Sequence, residues 1–388
     1  MRDLIMTFFC DGSYENDLKI YTEQLFEKFG VSSQIAEREI LCLAKAGNTV
    51  ALKTYADMIF YKKILSRRPY REAFALYMKS AGLTVSAAAE QASGDAGSAE
   101  KAAVWTCRGT GYPSAFWDVA YYLVHYHRNS FLQNCEKIAD LEDLTLGERL
   151  GTALKLSVAC IDYIGAAEAV NLVGLILNEV SLSSELFEEL KPVIDETVAR
   201  RAFPEYHLSI GSFDSAADCQ TASSLFLITA AQQGYVYACN NLAAREADRI
   251  IALAHSLEEE AALSGPGERS SLLDDELKES IQTYITYLKL SAAKYEPYAC
   301  NRLGLFYMTG EIKGSSDRAV FREYINIPEA KTFFTKATVY PNSNSAWAYY
   351  NLIKYFQRDY DTDIELMNEH MSYIEELNPE VYNLAMEL

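Results

Sequence analysis

The sequence predicts an all-α protein built from helix–turn–helix repeats. The phrase Tyr-Ala-Cys-Asn stands at 237–240 and again at 298–301. Small residues recur around both phrases at a fixed spacing. Strand signals, such as alternating Val/Ile/Thr runs and Asn-Gly hairpins, are nearly absent. Because 49% of the 388 residues are hydrophobic, the chain also has enough apolar side chains for a large core.

The spacing of small residues defines the repeat. An anchor residue is followed by a small residue four positions later and by another nine positions later. The five anchors with their pairs are Gly47 with Ala51 and Ala56, Gly111 with Ala115 and Ala120, Gly165 with Ala169 and Gly174, Gly234 with Ala238 and Ala243, and Tyr295 with Ala299 and Gly304. A weaker sixth copy has Asn342, Ala346 and Asn351. On a helix, such small residues let a neighbouring backbone approach closely, so we expect them at contacts between helices.

An apolar helical segment precedes most anchors, as at 71–82 and 328–338. The unit is therefore a helix, a turn that is often at glycine, and a second helix. Most anchors lie farther apart than the roughly 34–47 residues that a two-helix repeat needs, which predicts insertions. Small, polar stretches near 84–100, 258–272 and 310–318 are predicted to be loops.

The repeat array is predicted to cover residues 41–357, between two terminal caps. Residues 1–40 are predicted to form an N-terminal helical cap, and the acidic residues 358–388 a C-terminal capping helix. Asp361 or Thr362 is the expected N-cap of that last helix. Its predicted apolar face, which would cover the end of the array, consists of Ile364, Met367, Met371 and Ile374.

Two segments resemble the Sel1-like repeats, a branch of the tetratricopeptide superfamily. ACNRLGLFYMTGEI (299–312) is similar to the first half of that repeat, and REAFALYMKSAG (71–82) is similar to the second half. The resemblance covers about residues 40–356 and is poor from about 125 to 215, and the regular Asp before the second helix is mostly missing. It implies a right-handed α-solenoid that binds proteins or peptides in a concave groove, and it implies no particular chemistry.

The same resemblance implies which side chains face the groove, namely those three positions before the second small residue. These are Lys53, Trp117, Asn171, Asn240, Asn301 and Ala348. Asparagine both donates and accepts hydrogen bonds, so a row of asparagines can hold an extended peptide; the alternative is that they cap or link neighbouring helices. Aromatic groove candidates in the same register, which could instead fill the space between helices, are Tyr121, Tyr237, Tyr298 and Tyr355.

Composition restricts the partners and the compartment. The formal charge of −19 argues against direct binding of nucleic acid or of an anionic membrane surface, and it suits a basic protein partner or simply solubility. The eight cysteines are scattered without CxxC or zinc-site spacing, which indicates free thiols in a reducing compartment, and no cofactor or metal is predicted. The apolar run at 4–10 lacks the flanking features of a signal peptide, so we expect a cytoplasmic protein.

The sequence therefore predicts a non-enzymatic adaptor that binds a protein or a peptide. One alternative is an intracellular receptor for a signalling peptide, with a DNA-binding helix-turn-helix within residues 14–46, although that region has few basic residues. A second alternative is an enzyme, which would need a deep pocket with several perturbed ionisable groups. No catalytic residue is predicted: His125 and His127 would point to different helix faces, and the Ser291–Lys294 SxxK match lacks its companion motifs.

Overall fold

The computed structural model is predominantly helical. It describes residues 33–60, 64, 66–87, 103–107, 111–126, 138–142, 144–264, 271–340, 342, 344–361 and 363–388. These residues form two compact units, unit 1 within Met1–Phe226 and unit 2 from Leu227 to Leu388. The predicted all-α repeat class is confirmed within each unit, as the helix pairs below show.

Unit 1 alternates helices with two small hairpins. Its elements are α1 (Ser33–Lys45), α2 (Thr49–Phe60), α3 (Pro69–Ser80), β1 (Leu83–Ala87), β2 (Ala103–Cys107), α4 (Ser114–His125), α5 (Ala139–Glu142), α6 (Leu146–Ile164), α7 (Ala167–Ser181), α8 (Ser184–Thr197), β3 (Ala202–Phe203), β4 (Leu208–Ser209) and the first part of α9 (Ala216–Gln232).

Unit 2 contains the rest of α9 and ends in three short helices. Its further elements are α10 (Val236–Ser264), α11 (Ser271–Ala292), α12 (Pro297–Thr309), β5 (Glu311–Lys313), β6 (Arg318–Val320), α13 (Ile327–Lys336), α14 (Ser345–Tyr355), α15 (Gln357–Asp361), α16 (Ile364–Leu377) and α17 (Pro379–Ala385).

Each anchor lies between two helices, and we name the helix that precedes it B and the helix that follows it A. The A helices are α2, α4 and α7 in unit 1 and α10, α12 and α14 in unit 2. Across the anchors, the pairs α1–α2, α3–α4, α6–α7, α11–α12 and α13–α14 are in contact. Between successive anchors, the pairs α2–α3, α4–α6, α10–α11 and α12–α13 are also in contact. The unit is thus the helix–turn–helix that the sequence predicts.

The turn at the anchor has a left-handed backbone in most copies. Gly47, Gly165 and Gly234 have φ of 85°, 62° and 82°. Gly111 is needed for a different reason, because a Cβ there would lie 2.0 Å from the carbonyl oxygen of Ala81. Tyr295 has φ of 59° although it is not glycine, a conformation that costs about 1–2 kcal/mol for a residue with a side chain.

The small residues that follow the anchors lie at helix contacts, as expected. All are buried: Ala51, Ala56, Ala115, Ala120, Ala169, Gly174, Ala238, Ala243, Ala299, Gly304 and Ala346, with Asn351 in the last position of the sixth copy. A Cβ on Gly304 would lie 2.5 Å from the ring of Phe334 on α13. In unit 1, the hydroxyl of Ser223 on α9 donates to the carbonyl of Gly174 at 2.7 Å. The contact at Gly304 needs a position without a side chain, and the bond at Gly174 joins α9 directly to the backbone of α7.

The loop predicted at 310–318 is instead a short β-hairpin. Among the described residues there are three antiparallel two-stranded sheets, β1–β2, β3–β4 and β5–β6, and the fold stays predominantly helical as predicted. In the third, Ile312 is fully buried while its neighbours face outward, and the Gly314 N–H donates to the Asp317 carbonyl across the turn. The strands are too short for a clear alternating pattern, so the polar turn dominates the sequence signal.

The predicted loops at 258–272 and 84–100 also need correction. Helix α10 continues to Ser264 and α11 begins at Ser271, so most of the first stretch is helical. Glutamate and alanine, which are frequent there, are good helix formers, and this propensity outweighs the low complexity of the stretch. The second stretch begins inside β1, and residues 88–102 lie outside the described residues.

The C-terminal tail forms three helices rather than one capping helix. The N-cap of α16 is Asp363, not Asp361 or Thr362; its carboxylate accepts a hydrogen bond from the backbone N–H of Leu366. On the predicted apolar face, Ile374 is fully buried, Met367 and Met371 pack partly, and Ile364 is 72% exposed. Asn378 and Pro379 end α16 and start α17, a break that the sequence analysis overlooked. Of the predicted N-terminal cap, residues 33–40 belong to α1 and the rest lies outside the described residues.

A short motif that the sequence analysis missed precedes two B helices. Phe-x-Glu-Tyr occurs at 203–206 and 321–324. Each phenylalanine is buried, with φ and ψ of −117° and 86° at Phe203 and −118° and 83° at Phe321, and each is followed by one turn of 3₁₀ helix. The two segments therefore fold alike. The repeated Phe-x-Glu-Tyr motif can be seen in the sequence when the segments that connect the helices are aligned with one another.

The packing of α16 is predicted to depend on pH through His370. Its Nδ1 is 2.8 Å from the hydroxyl of Tyr360, and its ring contacts Tyr349. Burial lowers the pKa of His370, against the opposing effect of Glu369. Because the neutral imidazole is favoured in the fold, this contribution to stability is present above the ordinary pKa of 6.5 and is lost as the pH falls below it.

We therefore expect faster opening of α16 at pH 5.5 than at pH 7.5 in native-state hydrogen exchange, after correction for intrinsic rates. His370→Gln should remove the difference, and His255→Gln, at an exposed histidine in unit 2, should leave it. An unchanged pH effect in His370→Gln would contradict this role.

Candidate functional site

The predicted groove residues lie on the A helices of both units. In unit 1 these are Lys53 on α2, Trp117 and Tyr121 on α4, and Asn171 on α7. In unit 2 they are Tyr237 and Asn240 on α10, and Tyr298 and Asn301 on α12. Their burial and their hydrogen-bond partners differ strongly from one residue to the next.

Lys53 is buried and bound within the chain. Its Nζ donates to both carboxylate oxygens of Asp57, at 3.0 and 2.8 Å, and lies 3.4 Å from Oδ2 of Asp118. The hydroxyl of Tyr77 on α3 donates to the same Asp57 at 2.7 Å. Lys53 therefore connects three helices of unit 1 instead of presenting a free ammonium group to a partner.

The sequence analysis did not single out Asp118, the second acidic residue beside Lys53. Burial raises its pKa to about 7, partly opposed by the charge of Lys53 and reinforced by Asp57. The signal was present in the sequence, because Lys53 and Asp57 have the i, i+4 spacing of a helical ion pair and Asp118 directly follows a predicted groove residue.

Aromatic side chains line one side of α4. The ring of Trp117 is 5.4 Å from that of Tyr121, which is 4.4 Å from the ring of His125. All three are partly exposed, and burial raises the pKa of the Tyr121 phenol. Asn171 on α7 is buried, with 5% of its surface exposed. In unit 1, the side chains of Trp117 and Tyr121 are therefore more accessible to a partner than the amide of Asn171.

In unit 2, Asn240 joins two neighbouring A helices. Its Nδ2 donates to Oε2 of Glu296 at 3.0 Å. Glu296 is the N-cap of α12 and also accepts from the backbone N–H groups of Tyr298 and Ala299. The Oδ1 of Asn240 is buried and has no hydrogen-bond partner among the described residues. The amide is therefore a link between α10 and α12.

Asn301 forms the equivalent link one copy later. Its Oδ1 accepts a hydrogen bond of 2.9 Å from Nδ2 of Asn351 on α14. Both contacts correspond to the alternative interpretation of the asparagines, in which they link neighbouring helices. The sixth position in this register, Ala348, is fully buried, and the ring of Tyr355 stacks on Phe334.

The tyrosines of unit 2 differ in exposure. Tyr237 is 43% exposed at the start of α10, and its ring is 5.5 Å from that of Tyr235. Tyr298 is partly buried, and its hydroxyl accepts a hydrogen bond from Arg302, whose guanidinium also donates to the Lys313 carbonyl on β5. Tyr237 is thus available at the surface, whereas Tyr298 helps to hold the β5–β6 hairpin.

An exposed aromatic pair on α14 was also missed. Trp347 is 40% exposed and packs edge-on against Tyr350, and the ammonium group of Lys354 lies 5.5 Å from the centre of the Tyr350 ring. The three residues are spaced i, i+3 and i+7, so they share one face of the helix. Trp347 lies outside the register used for prediction, which explains why it was missed.

Two buried groups in unit 1, the thiol of Cys160 and the phenol of Tyr206, favour their protonated forms. Burial is the first cause of the raised pKa of the Cys160 thiol and of the Tyr206 phenol, whose pKa rises to about 12. A thiol with a raised pKa stays protonated and is a poor nucleophile and a poor metal ligand. Among the described residues, no three His, Cys, Asp or Glu side chains are grouped so that they could hold a metal ion.

One further region of interest is described only in part. Of the possible DNA-binding segment 14–46, residues 14–32 lie outside the described residues and the remainder is in α1 and the turn after it. Throughout the described helices, none combines the length and the apolarity needed to span a bilayer.

Comparison with known proteins gives a match among solved structures and none among family models or curated proteins. No protein-family model and no curated protein matches the sequence. Among solved structures, the chain is similar to c5321, a protective antigen of uropathogenic Escherichia coli strains that displays an SLR fold, the Sel1-like repeat architecture. The two are 14% identical, the match covers 96% of this chain and 70% of that one, and the TM-score is 0.22.

Proposed function

We propose that this chain is a non-enzymatic adaptor that binds a protein or a peptide on the faces of its A helices. The observation that carries the proposal is the contrast between two sets of side chains on these helices. The small residues are all buried, whereas Trp117, Tyr121 and Tyr237 keep accessible aromatic surface in the predicted register. Tyr and Trp are favoured at binding surfaces because they provide a large contact area at a low cost in conformational entropy.

The amide links support this proposal indirectly. Asn240 and Asn301 hold neighbouring A helices of unit 2 in register, which presets the spacing of the side chains beside them. A pre-organised surface loses less entropy on binding than a mobile one. The asparagines are therefore proposed to support the surface, and the aromatic side chains to make the contacts.

The net charge of −19 favours a basic partner through long-range attraction. Five cysteines, Cys42, Cys160, Cys219, Cys239 and Cys300, are free thiols, which suits the reducing cytoplasm proposed as the location.

The test compares aromatic surface variants, because Asn240→Ala would also remove the partner of the buried Glu296. We expect a bait with Trp117→Ala and Tyr237→Ala to lose most of the capture of a specific protein from native lysate, by at least about tenfold if each ring contributes about 1 kcal/mol or more. Binding of the purified partner should weaken by the same factor in calorimetry.

Tyr163→Ala is the matched control, because Tyr163 is 70% exposed at the end of a B helix in unit 1. This control should bind like the wild type, with circular dichroism unchanged in all baits. Equal capture by the wild type and the Trp117/Tyr237 variant would place binding elsewhere and reject the proposed surface.

A further inference from the structure

The group around Lys53 contains more negative than positive charge. Two carboxylates, Asp57 and Asp118, share the single ammonium of Lys53, and the three side chains are 13%, 6% and 8% exposed respectively. When both acids are ionised, the group carries one net negative charge in a site largely removed from water. Such a charge is costly, and one bound proton removes it.

Of the two carboxylates, that of Asp118 is the more favourable site for the bound proton. Both oxygens of Asp57 already accept hydrogen bonds from Lys53, and one also accepts from Tyr77. The Oδ2 of Asp118 is buried, and its contact with Lys53, at 3.4 Å, is longer than those that Lys53 makes with Asp57. Protonation at Oδ2 therefore weakens this one longer contact, whereas protonation of Asp57 would weaken three shorter hydrogen bonds.

Among the described residues, Lys53 is the one positive group that acts on Asp118. The groups that act on Asp118 or on its partners are Lys53 and Asp57 on α2, Tyr77 on α3, Cys160 on α6 and Glu168 on α7. Glu168 contributes further negative charge. Their combined effect agrees with the charge count, since burial and the two other acids together outweigh Lys53 and raise the pKa of Asp118 to about 7.

Asp118 is well placed to affect α4. Next to it on this helix, Tyr122 packs on Phe60, Phe74 and Tyr77 and donates a hydrogen bond to the Tyr70 carbonyl. The α4 helix therefore packs on the α2–α3 pair through the turn that contains Asp118. We propose that Asp118 is a proton-operated switch in unit 1, whose protonation tightens the packing of α4 on the α2–α3 pair and whose ionisation loosens it.

The sign of the pH dependence follows from the raised pKa. The contribution of Asp118 to stability is fully present below the unfolded-state pKa of 3.8 and is lost as the pH rises through about 7. Because α4 also carries Trp117 and Tyr121, the switch would tune partner binding, a consequence that rests on the proposed function. The proposed effect of Asp118 protonation on helix packing does not rest on the proposed function.

The test uses Trp117 as the reporter in the full-length chain. Trp105 and Trp347 are replaced by Phe, which leaves Trp117 as the one tryptophan of the three in the sequence. His125→Gln is included, because an imidazole titrates in the same pH range and His125 stacks on Tyr121. We expect the emission of Trp117 to change between pH 5 and 8.5 in a single step with a midpoint near 7.

Asp118→Asn should abolish that step, and Glu168→Gln should move its midpoint to lower pH. A step that survives in Asp118→Asn, or no step in the parent, would overturn the switch. If Asp118→Asn does not fold, ¹³C NMR of aspartate carboxyl carbons in the wild-type chain decides. One carboxyl titrating near neutral pH supports the proposal, and titration of every aspartate below about pH 5.5 rejects it. Neither measurement needs a partner, so failure of the adaptor proposal would be seen separately.

Discussion

Lys53→Met is expected to lower the free energy of unfolding of unit 1 by about 3–5 kcal/mol, because it removes one partner of a buried ion pair and leaves carboxylates without compensation. Lys53 fixes Asp57 through two short contacts and also lies beside Asp118. Methionine fills a similar volume, so the loss reports charge rather than a cavity. The loss of stability is measured by urea unfolding, with Trp117 fluorescence as the signal.

The matched control is Lys155→Met, which breaks the ion pair between Lys155 and Glu196. These side chains are 50% and 66% exposed, although their atoms are as close, at 2.9 Å, as those of Lys53 and Asp57. Its effect should stay below about 1 kcal/mol, because water screens exposed pairs. Adding Asp57→Asn to Lys53→Met should restore part of the lost stability. Equal effects of the two lysine substitutions would show that water screens the charges around Lys53 as well as it screens the exposed pair.

Gly304→Val is expected to destabilise unit 2 by about 3 kcal/mol through overpacking. Even a single Cβ at this position would lie 2.5 Å from two ring carbons of Phe334, which is fully buried between α12 and α14. Because the ring has no space to withdraw into, the helices have to separate. The measurement is the thermal midpoint of unit 2, followed by the fluorescence of Trp347 on α14.

A rescue experiment distinguishes overpacking from a change in helix propensity. Phe334→Leu, combined with Gly304→Val, should regain part of the stability, because the smaller side chain makes room for the new methyl groups. A Gly304→Val variant with the same thermal midpoint of unit 2 as the wild type would mean that the repeat does not need close approach at this position.

The sequence analysis found the repeat because its signal is steric and local. A small residue is required wherever two helix backbones approach, so the spacing after each anchor can be read without knowing the partner helix, and the burial of Ala299 and Gly304 confirms it. The short hairpins escaped detection because β5 and β6 have three residues each, too few for an alternating pattern.

The side-chain environments of the site were less predictable, because they depend on residues distant in sequence. Lys53 was expected to face a partner, yet the pairing with Asp118 depends on a residue 65 positions later (118 − 53). Asn240 and Asn301 occupy equivalent positions but bind a carboxylate and an amide, respectively. The register identifies the helix face, and only the fold determines which neighbour a side chain meets.

The two amide links between neighbouring A helices also have a mechanical consequence for unit 2. In a repeat protein each copy contacts its neighbours only, so a pulling force applied to the ends passes through every junction in series. Asn240 with Glu296, and Asn301 with Asn351, bridge two successive junctions with short polar contacts, which give way over small extensions. We therefore expect unit 2 to resist extension at low force and then to open one junction at a time.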